Sequence, residues 1–164
     1  MFQEAACDYE QARNLYNNIL EDKPEDMQAR KRIVACYKAQ GRFNETIDQM
    51  NKYLDIFSTD VDMWQQMAGM YITRGNLPKA GFCFEEILLA NMRSSHALVT
   101  YADLCYSMKK YDDARKYYSG ALQIDDRDLR ALWGFLAVTA FLGEKTDADE
   151  DEEKVIDELS DMCL

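Results

Sequence analysis

Apolar residues recur along this chain on two scales. Within short segments they fall three and four residues apart, as on one face of an amphipathic helix, and the segments themselves recur at an offset of 34 residues, a period at which helix-turn-helix units stack into a solenoid. Ala12, Thr46, Ala80 and Ala114 share one column, where small side chains let two helices approach closely. Tyr16, Met50, Phe84 and Tyr118 follow four residues later, on the same face. Leu20, Leu54, Leu88 and Leu122 repeat without exception, and Tyr9, Phe43, Leu77 and Tyr111 mark where each second helix begins. The first helices are legible from Ile33, Met67, Tyr101 and Phe135, with Arg30, Trp64, Leu98 and Leu132 three residues earlier. Tyr37 and Tyr71 follow at +4.

Punctuation agrees with the columns. Gly41, Gly75 and Gly143 are expected between paired helices, where positive φ ends one helix and permits the turn, and Lys109 takes that place once. Pro24 lies just past a second helix and Pro78 in the first turn of another. The pattern predicts a second helix near 8–22, pairs near 27–57, 61–91 and 95–125, and a further first helix near 129–142. The helix over 129–142 is apolar nearly all round, so one neighbour cannot bury it. Val155, Ile156, Leu159 and Met162 are spaced as one apolar face, so the cover is expected from the tail folded back as a capping helix or from a partner subunit.

Composition narrows the function. The chain is 48% apolar and 30% charged with seven Gly and two Pro, which suits one helix-rich folded domain. A formal charge of −11 argues against nucleic acid, including an RNA-reading helical repeat, because phosphate binding needs a concentrated excess of Lys and Arg. Residues 144–164 hold ten Asp or Glu against two Lys, a net of −8 that leaves −3 for the first 143. The body is nearly balanced, and the tail reads as an acidic linker. Cys7, Cys36, Cys83, Cys105 and Cys163 are odd in number and form no Cys-x-x-Cys pair, which argues for buried thiols of a reduced compartment over a disulfide framework or zinc site. No basic stretch followed by an apolar run opens the chain. The longest uncharged apolar run, 131–143, has 13 residues against the ~20 of a membrane-spanning helix, so membrane association is expected through a partner.

Chemistry is sparse. His96 is the only histidine, and its place at a helix start makes it a surface residue rather than a proton shuttle. The glycines read as dispersed at turns, with no phosphate loop. Asp147, Asp149, Asp151 and Glu158 resemble calcium-loop spacing, but Glu152 stands where glycine is needed and Lys154 where an apolar residue is. Asn44-Glu45-Thr46 fits a glycosylation acceptor yet opens a packed helix. Arg30, Lys31 and Arg32 could face anionic lipid or an acidic partner, although solvated flank residues explain them as well. No enzyme, cofactor, metal site or small-molecule substrate is expected.

The unit containing Trp64, Met67, Ala68, Tyr71, Gly75, Ala80, Phe84 and Ile87 resembles the tetratricopeptide repeat over about residues 8–143. That resemblance implies an all-α tetratricopeptide-repeat α-solenoid, a right-handed superhelix of antiparallel helix pairs. It divides the chain into a repeat domain, 1–143, with repeats near 27–60, 61–94 and 95–128 and half-repeats at both ends, and a tail, 144–164. The stretches 29–33 (ARKRI), 37–41 (YKAQG), 64–71 (WQQMAGMY), 79–86 (KAGFCFEE) and 127–132 (RDLRAL) are similar to the family of subunit 2 of the endoplasmic reticulum membrane protein complex. Family members carry more helix at both ends, which implies a shortened lineage or a fragment, and Asp147 to Glu153 has no counterpart.

That resemblance implies a non-catalytic scaffold of a membrane protein insertase, on the cytoplasmic face of the endoplasmic reticulum, whose partners are sister protein subunits. The alternative is a generic tetratricopeptide adaptor of an unrelated complex. First helices line the inner groove of such repeats and expose positions between the packing columns, which selects Gln28, Lys31, Lys38, Asp62, Gln65, Ile72, Val99, Asp103, Tyr106, Arg130 and Trp133, with Trp133 and Tyr106 as anchors. Chaperone-tail-binding repeats use Lys and Asn on successive first helices. Here Ala35 follows Lys31 and no Asn matches, which argues against a co-chaperone.

Overall fold

Short polar side chains one repeat apart start the first helices of a computed structural model that describes residues 8–91 and 93–143. Asp26 accepts from the N–H of Ala29 at 2.8 Å, Asp60 from Met63 at 3.2 Å, Ser94 from Ala97 at 3.3 Å and Asp128 from Ala131 at 3.2 Å. Each satisfies an N–H that the helix leaves orphaned. This capping column was legible in the sequence and ranks with the apolar columns as a signal.

The helices are α1 (Tyr9–Asp22), α2 (Met27–Ala39), α3 (Phe43–Leu54), α4 (Val61–Thr73), α5 (Leu77–Ala90), α6 (Ser95–Ser107) and α7 (Tyr111–Ile124). A further helix, α8, covers 129–143, and every regular element among the described residues is helical. The backbone divides into two compact units between Ala90 and Asn91. In the first, α1 packs on α2, and α2/α3 and α4/α5 are the helix pairs; in the second, α6/α7 is the pair, and α8 touches both.

The turns inside the pairs share one construction. The N–H of Gly41 donates to Lys38 and that of Arg42 to Tyr37, at 3.0 and 3.2 Å; Gly75 donates to Ile72 and Asn76 to Tyr71, both at 2.9 Å. This doubly bonded stop needs a left-handed residue, and Gly41 and Gly75 have φ of +67° and +70°. Lys109 occupies the same place with φ +60°, its N–H bonded to Tyr106 and that of Lys110 to Cys105 at 2.9 Å. A side chain there costs about 1 kcal/mol, so Lys109→Gly is expected to raise the thermal midpoint by a few degrees, read by circular dichroism.

Two sequence expectations are corrected. Gly143 is helical, without positive φ, because α8 continues to the last described residue. Nor are the glycines dispersed at turns: Gly69, Gly81, Gly120 and Gly134 all lie inside helices. The proposed tail elements, including Asp147, Asp149, Asp151 and Glu158, lie outside the described residues.

The columns form the cores. Ala12, Thr46, Ala80 and Ala114 are all buried, and the hydroxyl of Thr46 donates to the Arg42 carbonyl at 2.7 Å. Met50, Phe84 and Tyr118 are buried beside them. Trp64 Nε1 donates to the Ser58 carbonyl at 2.8 Å, and Arg30, one repeat earlier, donates from Nε and Nη2 to the Pro24 carbonyl at 2.9 and 2.7 Å. Two chemically unlike residues in one column thus tie down the same preceding loop. Cys36, Cys83 and Cys105 are buried free thiols; burial pushes the Cys83 thiol up to about 11.

Candidate functional site

In the first unit, side chains between the packing columns of α2 and α4 meet across a hollow. Gln28, Lys31 and Lys38 line it together with Arg32 and Gln66. The last two escaped the sequence argument, which treated Arg32 as a solvated flank. Lys38 Nζ donates to Gln66 Oε1 at 3.1 Å. Asp62, Gln65 and Ile72 are exposed on α4 but do not line this hollow.

The best-built polar cluster borders the hollow. Lys31 Nζ lies 2.6 Å from Asp60 Oδ2, and the Tyr53 hydroxyl donates to the same carboxylate. Tyr53 is buried, its ring 4.9 Å from that of Phe57 and 5.6 Å from Lys31 Nζ. Burial works against charge on Asp60, but the hydrogen bonds from Lys31, Tyr53 and the Met63 N–H outweigh it and hold the carboxyl below its usual range. Burial, reinforced by the Asp60 hydrogen bond, raises the Tyr53 phenol, which therefore stays a proton donor. Asp60 thus caps α4, anchors α3 and positions Lys31.

In the second unit, Asp103 on α6 accepts from the Tyr118 hydroxyl of α7 through Oδ1 and faces the Arg130 guanidinium of α8 through Oδ2. Burial, then Asp103, raises the Tyr118 phenol. The Tyr118 ring lies directly on Gly134, where an added Cβ would sit 2.3 Å from Cζ. Nothing in the periodicity marks Gly134, which occupies a helix interior with no turn to explain it. Tyr106, 42% exposed, meets Tyr111 edge-on at 5.5 Å, and Tyr111 meets Phe141 at 4.3 Å.

Trp133 is the most exposed of the selected apolar residues, at 72%. Leu129 and Leu136, four residues before and three after, are exposed with it, so one stripe of α8 is apolar and uncovered among the described residues while Ala131 and Val138 are buried on its other side. Val99 corrects the selection: it shares a column with Lys31, Gln65 and Trp133 but is 1% exposed, because a short β-branched side chain does not clear the flanking helices as the longer ones do. His96 is exposed, as its position at a helix start predicts.

The arrangement offers side chains for holding a partner. Among the described residues no three His, Cys, Asp or Glu converge as metal ligands, and no helix is long and apolar enough to cross a membrane.

Comparison with known proteins gives the same picture. Residues 1–117 match the family described as EMC2 TPR-like repeat domain. ER membrane protein complex subunit 2-A of Xenopus laevis is 37% identical over 134 residues, 80% of this chain and 45% of that protein. ER membrane protein complex subunit 2 of Dictyostelium discoideum is 30% identical over 118 residues, 70% of this chain and 37% of that one. The chain thus spans less than half the length of these curated relatives. A tetratricopeptide repeat protein from Parabacteroides merdae superposes with a TM-score of 0.68 at 16% identity, over 96% of this chain and 62% of the other, and shares its fold, the all-α tetratricopeptide solenoid.

Proposed function

The chain belongs to the family of ER membrane protein complex subunit 2, and from that premise we propose that it is a non-catalytic scaffold subunit of that membrane protein insertase, held peripherally at the cytoplasmic face of the endoplasmic reticulum. Its inner-face residues Gln28, Lys31, Lys38, Asp62, Gln65, Ile72, Asp103, Tyr106, Arg130 and Trp133 hold sister subunits. Val99 is not among them. The observation that carries the scaffold reading is the apolar stripe of Leu129, Trp133 and Leu136 on α8, since large exposed aromatic and aliphatic side chains on one helix face cost solubility and repay it at an interface.

Affinity purification of the tagged chain from gently solubilised cells, followed by mass spectrometry, tests this. Recovery of the other subunits of the endoplasmic reticulum insertase is expected. Trp133→Ala should deplete them while moving stability by no more than about 0.5 kcal/mol, because the side chain is largely solvated. An anchor of this kind contributes about 2 kcal/mol or more, roughly thirtyfold in affinity. Recovery of soluble complexes alone would leave only the fold and favour a generic adaptor.

A further inference from the structure

Positive charge on the inner face of the first unit comes from one helix. The cations that line the hollow between α2 and α4 are Lys31, Arg32 and Lys38, all from α2, and no carboxylate lines it. One repeat later the same three positions hold Gln65, Gln66 and Ile72, and two repeats later Val99, Thr100 and Tyr106. The fold therefore does not require charge there. Arg30, which completes the basic run in the sequence, is committed elsewhere, through both its bonds to the Pro24 carbonyl.

The two lysines are held in position. Asp60 fixes Lys31 at 2.6 Å and the Gln66 amide oxygen fixes Lys38 at 3.1 Å. Asp60 compensates one of the three charges, which leaves a local positive excess on a chain whose formal charge is −11. Lys31 and Lys38 stand two helical turns apart on one face, about 10 Å along the axis. In a polyproline II segment, side chains three residues apart share a face about 9 Å apart. Ala35 and Ala39, between and beside the lysines, also line the hollow and leave room for a backbone.

We infer that this hollow binds an extended acidic segment of a partner protein, with two carboxylates three residues apart meeting Lys31 and Lys38 and with Arg32 alongside. The inference deepens the scaffold reading and rests on the inner face being a partner surface. A concavity between two helices suits a chain better than the flat headgroup layer of a membrane, and that makes lipid the outcome to exclude.

The test is fluorescence polarisation of the full chain with a labelled peptide, acetylated and amidated at its ends, carrying Glu at positions three apart, against the same peptide with Gln for Glu. The Glu peptide should bind, and Gln replacement, Lys38→Glu or Arg32→Glu should each weaken binding about tenfold or more. Wild-type melting temperatures are expected for both variants, and Lys38→Gln, which adds no charge, should give a smaller loss. Equal affinity for the two peptides, or binding indifferent to both reversals, overturns the inference. So does flotation with phosphatidylserine vesicles that Lys38→Glu abolishes while the Glu peptide fails to bind. A tagged chain that recovers insertase subunits yet ignores the Glu peptide keeps the scaffold reading and loses this one. A chain that recovers none loses the scaffold reading itself.

Discussion

Gly134→Ala is expected to lower the thermal midpoint by about 5–10 °C, corresponding to about 2–3 kcal/mol of overpacking in a domain of this size. The added methyl carbon would lie 2.3 Å from Tyr118 Cζ, 2.4 Å from Cε1 and 2.8 Å from the hydroxyl oxygen, so the ring must move by about 1 Å to reach ordinary contact distance. It has little freedom to do so: Tyr118 is 3% exposed, and its hydroxyl is committed to Asp103, which also faces Arg130. Displacing the ring would strand a buried hydroxyl whose desolvation adds to the steric cost. Gly120→Ala is the control. It lies inside α7 with nothing within 4 Å of a new Cβ, and should instead gain about 0.5–1 kcal/mol from helix propensity and a less disordered unfolded chain. Combining Gly134→Ala with Tyr118→Ala should cost less than the sum of the two, because the second substitution removes the clash that the first creates. Additivity in that cycle would show that the Cβ is accommodated by a route other than the ring.

Asp60→Ala is expected to cost about 2–4 kcal/mol in chemical denaturation, since it removes a helix cap, at about 0.5–2 kcal/mol, and leaves the Tyr53 hydroxyl buried without an acceptor, at about 1–3 kcal/mol. Asp60→Asn keeps an oxygen for the Met63 N–H and for Tyr53 but removes the charge that faces Lys31 across 2.6 Å, and should cost less. The pH dependence separates charge from shape. Hydrogen bonds from Lys31 and Tyr53 lower the Asp60 carboxyl against the opposing effect of burial. Its stabilisation is therefore fully present above the ordinary carboxylate range, near pH 4, and is lost as pH falls through the depressed folded-state value. The stability gap between the native protein and Asp60→Asn should stand at neutral pH and close in the acid range. A gap unchanged down to the acid limit would assign the effect to packing and leave the ion pair without a measurable role.

Most of the fold was legible because it depends on short-range rules repeated at one interval. The columns headed by Ala12, Tyr16 and Leu20 place every second helix, and the polar column of Asp26, Asp60, Ser94 and Asp128 places the first helices to within a residue or two. Gly41 and Gly75 were readable as turn residues, since their left-handed backbone is a local demand that few other side chains meet. Gly143 looked the same and is helical, because a glycine permits a turn without causing one. The exposure of Trp133 followed from a helix with too many apolar faces for its neighbours.

By itself, then, the amino-acid order determined the period, the helices, the buried columns, the family resemblance and the faces open to a partner, all of which follow from residue spacing along one backbone. Only the tertiary structure decided that Val99 is buried on a column whose longer members reach solvent, that Asp60 joins Lys31 to Tyr53, that Tyr118 lies on Gly134, and that Arg32 enters the hollow while Arg30 ties down a loop. Those outcomes depend on side-chain length and direction between helices at separations that follow neither the helical period nor the repeat, so they appear only once the helices are packed.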